Sequence, residues 1–156
     1  MSEGIKQTFV TALTDTSTTA KEPLGSIRFG PTGKVYKYVK YSAGTGTVAA
    51  VAGSCVVWHG DDGMADFEVT MDYTDGVLAA GILQAVIAAG SYGWIQTKGP
   101  ATMVPAFTAG ADGDQMTTVG AADGALDVVV SGAINGNIAG YAIDITAKLI
   151  LLDCPW

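Results

Sequence analysis

The sequence predicts an all-β domain, a small barrel or sandwich with Gly-rich turns, a flexible N-terminal arm and at most one short helix. Three observations carry that reading. Glycine supplies 21 of 156 residues, about 13% where an average domain has roughly 7%, and it recurs as punctuation after short apolar runs. Those runs are spaced at roughly 8–12 residues, the pattern of sandwiches and barrels rather than of βαβ units. Apolar residues make up 49% and charged residues only 15%, too hydrophobic and too weakly charged for a disordered chain. No G-x-y period exists, which excludes collagen. A chain of this length buries roughly 68–70% of its unfolded surface as one domain, without metal or disulfide staples.

In chain order, residues 11–22, TALTDTSTTAKE, offer little besides Leu13 to bury and cannot offset their own ordering entropy. Residues 1–24 are therefore expected to form a flexible arm, either a frayed terminus or a segment that orders across a neighbouring subunit. Residues 25–156 form the single β domain. Gly30-Pro31-Thr32-Gly33 is turn chemistry, and residues 34–42, rich in Val and Tyr, read as a strand despite an imperfect alternation with Lys34, Lys37 and Lys40. The later runs are VAAVAG, SCVVWHG, DFEVTMDYTDG, VLAAGILQAVIAAG, YGWIQTKG, ATMVPAFTAG, QMTTVG, LDVVVSG, NIAGYAIDITA and KLILLDCPW. Within them, residues 77–89 read as two short strands. A helix is the alternative, because Ala and Leu propensity favours it while Gly81 and Gly90 weaken it.

Charge is unevenly spread over a chain of net −7. Residues 1–40 carry six cations against three acids; residues 41–156 carry Lys98 and Lys148 against twelve acids. A basic front on an acidic body is expected to steer like molecules head to tail, or the chain onto a surface charged opposite to one end. It argues against nucleic acid as a partner, which calls for clustered Lys and Arg, whereas Arg28 is the only arginine. Cys55 and Cys154 fit neither a zinc site nor a disulfide scaffold. The opening MSEGIKQTFV lacks a basic-then-apolar leader, so a reducing cytoplasm with both thiols free is expected. The longest apolar stretch, 77–89, falls short of the roughly 18 residues that span a bilayer.

Catalytic and ligand motifs are weak. Gly44-Thr45-Gly46-Thr47-Val48-Ala49 matches G-x-G-x-x-[GA] formally, yet no room remains for the helix that would meet a pyrophosphate, so it reads as a hairpin turn. Cys55 and His59 are four apart, a spacing that puts a Cys-His nucleophile pair on one strand face, but Cys55-Val56-Val57-Trp58 reads as buried strand and the thiol as structural. Asp61-Asp62-Gly63 and Asp112-Gly113-Asp114 lack EF-hand spacing and read as Asp-Gly turns rather than calcium loops. No G-x-S-x-G or H-E-x-x-H occurs. The expectation is a non-enzymatic protein with no cofactor and no metal.

Residues 90–101, GSYGWIQTKGPA, resemble a G-x-Y-G-W-[IV]-Q-x-x-G-x-A signature of small virion proteins of tailed bacteriophages. Residues 33–40, GKVYKYVK, are similar to that family's Tyr-x-Tyr-Val strand, followed by the Ala/Gly-rich residues 47–53. AGADGD at 109–114, GYAID at 140–144 and KLILL at 148–152 extend the likeness over roughly residues 25–156. The resemblance is to capsid decoration, or cement, proteins. It implies a β-tulip-like domain, often trimeric, that binds the major capsid protein on the outside of the expanded head and braces it, having assembled in the host cytoplasm. A tail or head-fibre component, or a carbohydrate- or cell-surface-binding module, is the alternative. Tyr92 and Trp94 are expected to anchor the core or an interface, and Tyr92, Trp94, Arg28 and Lys21 form the expected subunit or capsid contact.

Overall fold

The computed structural model describes residues 8–60, 63–76, 78–130 and 137–154. Its strands are β1 (Ile27–Phe29), β2 (Val35–Ser42), β3 (Cys55–Trp58), β4 (Glu68–Thr70), β5 (Ala79–Leu83), β6 (Tyr92–Thr102), β7 (Gln115–Thr117), β8 (Asp127–Val128), β9 (Ile138–Asp144) and β10 (Leu149–Asp153). They form one sheet in the order β1-β2-β4-β3-β5-β6-β10-β9-β7-β8, and an additional β2–β6 pairing closes β2, β4, β3, β5 and β6 into a barrel. Every pairing is antiparallel except β2 with β4. Beyond β6, the strands β10, β9, β7 and β8 continue as an extension.

Period-2 alternation sorts side chains between two cores. Val56 and Trp58 of β3 enter the barrel interior with Val39, Tyr41, Val69, Leu83 and Ile95. Cys55, one step out of phase, joins Ala79 and Ile82 on the barrel's outer side, where Met116, Ala142, Ile150 and Leu152 of the extension cover them. The extension therefore wraps over β3 and β5. At its centre β9 and β10 approach so closely at Gly140 that a Cβ there would overlap the Leu151 carbonyl oxygen.

Strand β2 explains its own imperfect alternation. Val39 and Tyr41 face the barrel interior, while Tyr36 and Tyr38 lie in a third cluster with Trp94. A strand covered on both faces reads as nearly continuous apolar sequence. Lys37 is 4% exposed, its ammonium 5.3 Å from the Trp58 ring and 5.6 Å from the Phe67 ring. Desolvation holds its pKa below the usual lysine value.

The all-β expectation agrees with this architecture, and the one α-helix among the described residues is the single turn α1 (Gly63–Asp66). Within 77–89 no helix forms. β5 is the one strand there, followed by a turn that drops Ile87 into the barrel core; Val77 lies outside the described residues. Residues 48–53 form no strand, and YGWIQTKG and ATMVPAFTAG are not separate runs. β6 passes through Gly99, at φ +88°, and pairs with β10 on from Lys98 to Thr102.

Residues 8–24 also depart from the expected flexible arm. They lie against the barrel as a strap, with Phe9, Leu13 and Leu24 packed on Tyr36, Tyr38 and Trp94. The composition argument failed because it counted only what the segment itself could bury. The apolar surface that offsets its ordering is supplied by the barrel. Residues 1–7 of the expected arm are outside the described set.

Candidate functional site

Thr11 is the point at which the strap is fixed. Its backbone N–H and its hydroxyl donate to Glu22 Oε1 at 3.0 and 2.9 Å, and the Val10 N–H donates to the same oxygen at 2.8 Å. The Thr11 hydroxyl in turn accepts the Trp94 indole N–H at 3.0 Å, and its carbonyl accepts Arg28 Nη1 at 3.0 Å. Glu22 is 7% exposed, so a buried carboxylate is satisfied by three donors, as burial of a charge requires. Phe9 meets Trp94 edge-on at 5.2 Å and lies under the Arg28 guanidinium. Further along, Ser17 and Tyr92 exchange both backbone hydrogen bonds, at 3.1 and 2.8 Å.

The four residues expected at an interface are thus brought to one region, with different roles. Trp94 is fully buried beneath the strap and anchors it; the expected partner contact through Trp94 is corrected, because Phe9 and Thr11 already occupy its outer side. Arg28 is half-buried and engaged with the strap. Tyr92 is half-buried, stacked with Tyr38 at 6.4 Å. Lys21 remains exposed, its backbone N–H donating to the Tyr38 hydroxyl at 3.3 Å. A groove of about 310 Å3 beside the strap is lined by Thr11, Asp15, Ser17, Lys21 and Tyr38.

The weak sequence motifs resolve into structural roles. In the Gly44–Gly46 turn, the Thr45 and Gly46 N–H groups point at an anion, as a phosphate cradle would, but that anion is the protein's own. The N–H of Thr45 donates to Asp75, and that of Gly46 to Asp72 at 2.6 Å. Hydrogen bonds from Thr74 and Gly46 hold the Asp72 carboxyl below its usual pKa. Cys55 does not pair with His59. Burial pushes its thiol up to about 12, the opposite of an activated nucleophile. Cys154 is likewise buried and raised by desolvation, and both thiols are free.

His59 Nδ1 instead donates to Glu68 Oε1 at 3.0 Å, while Lys40 Nζ donates to Glu68 Oε2 at 2.7 Å. This set ties β2 and β4 to the end of β3. Asp112 and Asp114 accept the N–H groups of Ile145 and Ala111 at 2.9 and 2.7 Å, as turn acids do; Asp61 and Asp62 lie outside the described residues. Among the described residues, no group of three His, Cys, Asp or Glu side chains is placed to hold a metal ion, and no helix is long and apolar enough to cross a membrane.

Sequence reasoning missed an uncovered sheet face. Pro100, Leu151, Tyr141 and Gln115 form one cross-strand row over β6, β10, β9 and β7. Two residues along β6 and β10, Lys98 and Asp153 belong to the next row, which continues through Val35 to Phe29 of β1. Directly opposed residues share a face, so one surface carries both rows, although Val35 within it is covered, at 7% exposed. On it Phe29 is 76%, Leu151 45% and Tyr141 42% exposed, with Ile143 beside them at 46%. A signal was present in the sequence. YAID places Tyr141 and Ile143 in phase with each other and out of phase with buried Ala142, and LILL is apolar at both phases.

No protein-family model matches the chain, no curated protein matches it, and no solved structure matches it.

Proposed function

We propose that this chain is a non-enzymatic structural protein of a tailed-phage virion that binds the outer surface of the head and braces the capsid lattice. The observation that carries this reading is the resemblance of residues 90–101 to the virion-protein signature. Residues 92–101 of that stretch lie in β6, the strand bonded to β2, β5 and β10, so the signature falls on the central strand of the sheet. Support also comes from the surface, which exposes the apolar side chains of Phe29, Tyr141, Ile143 and Leu151. The partner in this reading is the major capsid protein, and the acting species is a homo-oligomer of three copies. Its work is adhesion at many sites at once, in which weak contacts on a symmetric lattice sum to firm attachment.

The test is co-sedimentation of the purified protein with emptied heads before and after expansion. Saturable binding to expanded heads alone, with a rise in their thermal disruption temperature, is the expected result. Absence of head binding together with saturable binding on a glycan array would overturn the reading in favour of a surface-glycan module.

A further inference from the structure

We infer that the strap is a displaceable cover, and that the barrel beneath it is a preformed receptor for an extended segment of a partner protein carrying an aromatic residue and, two residues on, a serine or threonine. A receptor of this kind goes beyond the head-binding role proposed above.

The barrel side supplies the elements that peptide recognition uses. Extended peptides are held by main-chain hydrogen bonds at a sheet edge and by pockets for their side chains. From Trp94 onward β6 is covered by Gln84 and β5. Ahead of that stretch Tyr92 offers both its N–H and its carbonyl, and Ser17 takes them. Tyr38 and Trp94 form an aromatic seat, with Phe9 edge-on to the indole at 5.2 Å. The Trp94 indole N–H and Arg28 Nη1 donate to the hydroxyl and the carbonyl of Thr11, each at 3.0 Å. Tryptophan, tyrosine and arginine are the residue types that dominate binding at interfaces. All four of these residues belong to β1, β2 or β6, so lifting the strap leaves them in place.

The strap is a poor ligand for this seat. Of residues 8–24 only Glu22 is buried, and its carboxylate is engaged by the strap's own Val10 and Thr11. Between Ala12 and Lys21 the one large apolar side chain is Leu13. The groove of about 310 Å3 between the strap and Tyr38 stays unfilled. A segment with so few buried contacts opens at low free-energy cost. A partner segment that keeps the Phe9 and Thr11 contacts and fills the groove with apolar side chains therefore displaces it. The strap of a second copy does not, since it repeats the same contacts and adds the entropy cost of association.

Fluorescence anisotropy with a labelled peptide of residues 9–22 tests this. The full chain carrying Glu22→Ala is expected to bind the peptide about 10-fold tighter than wild type or better, because apparent affinity scales with the fraction of chains whose site is open. Phe9→Ala in the chain, which removes the Trp94 contact and leaves Glu22 in place, should act in the same direction with unchanged circular dichroism. A peptide carrying Phe9→Ala and Thr11→Ala should bind either variant about 10-fold more weakly than the native peptide. Adding Arg28→Ala to the Glu22→Ala chain should also weaken the native peptide. No binding to variants whose Tyr92 amide exchanges fast, or equal affinity for wild type and both variants, overturns the inference. So do dimers of the variants that grow with concentration and are broken by the peptide, which would make a second copy the occupant.

Discussion

Replacing Glu22 with Ala should release the strap while leaving the barrel intact. The carboxylate accepts the Val10 N–H, the Thr11 N–H and the Thr11 hydroxyl, all within 2.8–3.0 Å, and hydrogen bonds to a charged group contribute about 1.5–3 kcal/mol each. The sum is not the expected effect. Once the strap lifts, the freed N–H groups bond to water, and the loss is capped by the strap's own docking energy. That docking energy includes Phe9 on Trp94 and the Ser17–Tyr92 bridge, which the substitution leaves in place. A decrease of about 2–3 kcal/mol in the free energy of local opening follows, roughly a 30- to 150-fold faster exchange. Native-state hydrogen exchange reads it directly, at the Ser17 and Tyr92 N–H groups, each of which donates to the other residue's carbonyl. Amides between barrel strands, such as that of Val39, should keep wild-type protection. Equal acceleration at Val39 and Tyr92 would refute the reasoning, since strap and barrel would then open as one unit; so would no change at Tyr92.

Three further outcomes are expected. Cys55 and Cys154 should resist a thiol reagent at pH 8 in the folded protein and react fully in denaturant, because both are buried with thiols raised in pKa; fast labelling of native protein would contradict the second core. Burial raises the Glu68 pKa, but the Lys40 hydrogen bond and charge, with His59, outweigh it and leave the carboxyl below its ordinary value. A depressed carboxyl stabilises the fold above its unfolded pKa near ~4.3, and that share is lost as pH falls through the lower folded value. Lys40→Met should thus lower stability at pH 7 by no more than about 1 kcal/mol and hardly at all near pH 2, as urea titrations at the two pH values would show. Gly140→Ala should cost about 1–3 kcal/mol in urea unfolding, since the Leu151 carbonyl must move to admit a methyl group; a wild-type midpoint would show that β9 and β10 are further apart than described.

What could be read from the sequence was whatever local chemistry decides. Gly30-Pro31, Asp75-Gly76, Asp112-Gly113 and Asp123-Gly124 marked turns between strands, and residues 34–42 became β2 almost residue for residue. Long-range pairing was hidden. Nothing local shows that β2 runs parallel to β4 or that it closes on β6. Gly99 and Pro100 looked like a break, but a glycine at positive φ lets the strand shift register and continue. The strap was misread for a related reason: its apolar residues are few, and the surface they meet belongs to residues 36, 38 and 94. Of the expected contact residues, Trp94 was recognised as an anchor, although what it holds is the chain's own N-terminal segment. The exposed face escaped because register, not composition, sets Phe29, Leu151 and Tyr141 on one side of the sheet.

Where the protein sits on a particle tests the central claim most directly. Gold-labelled protein added to virions and imaged by electron microscopy should decorate the head in a regular array and leave the tail bare. Label confined to the tail or to fibres, with clean heads, would contradict the account.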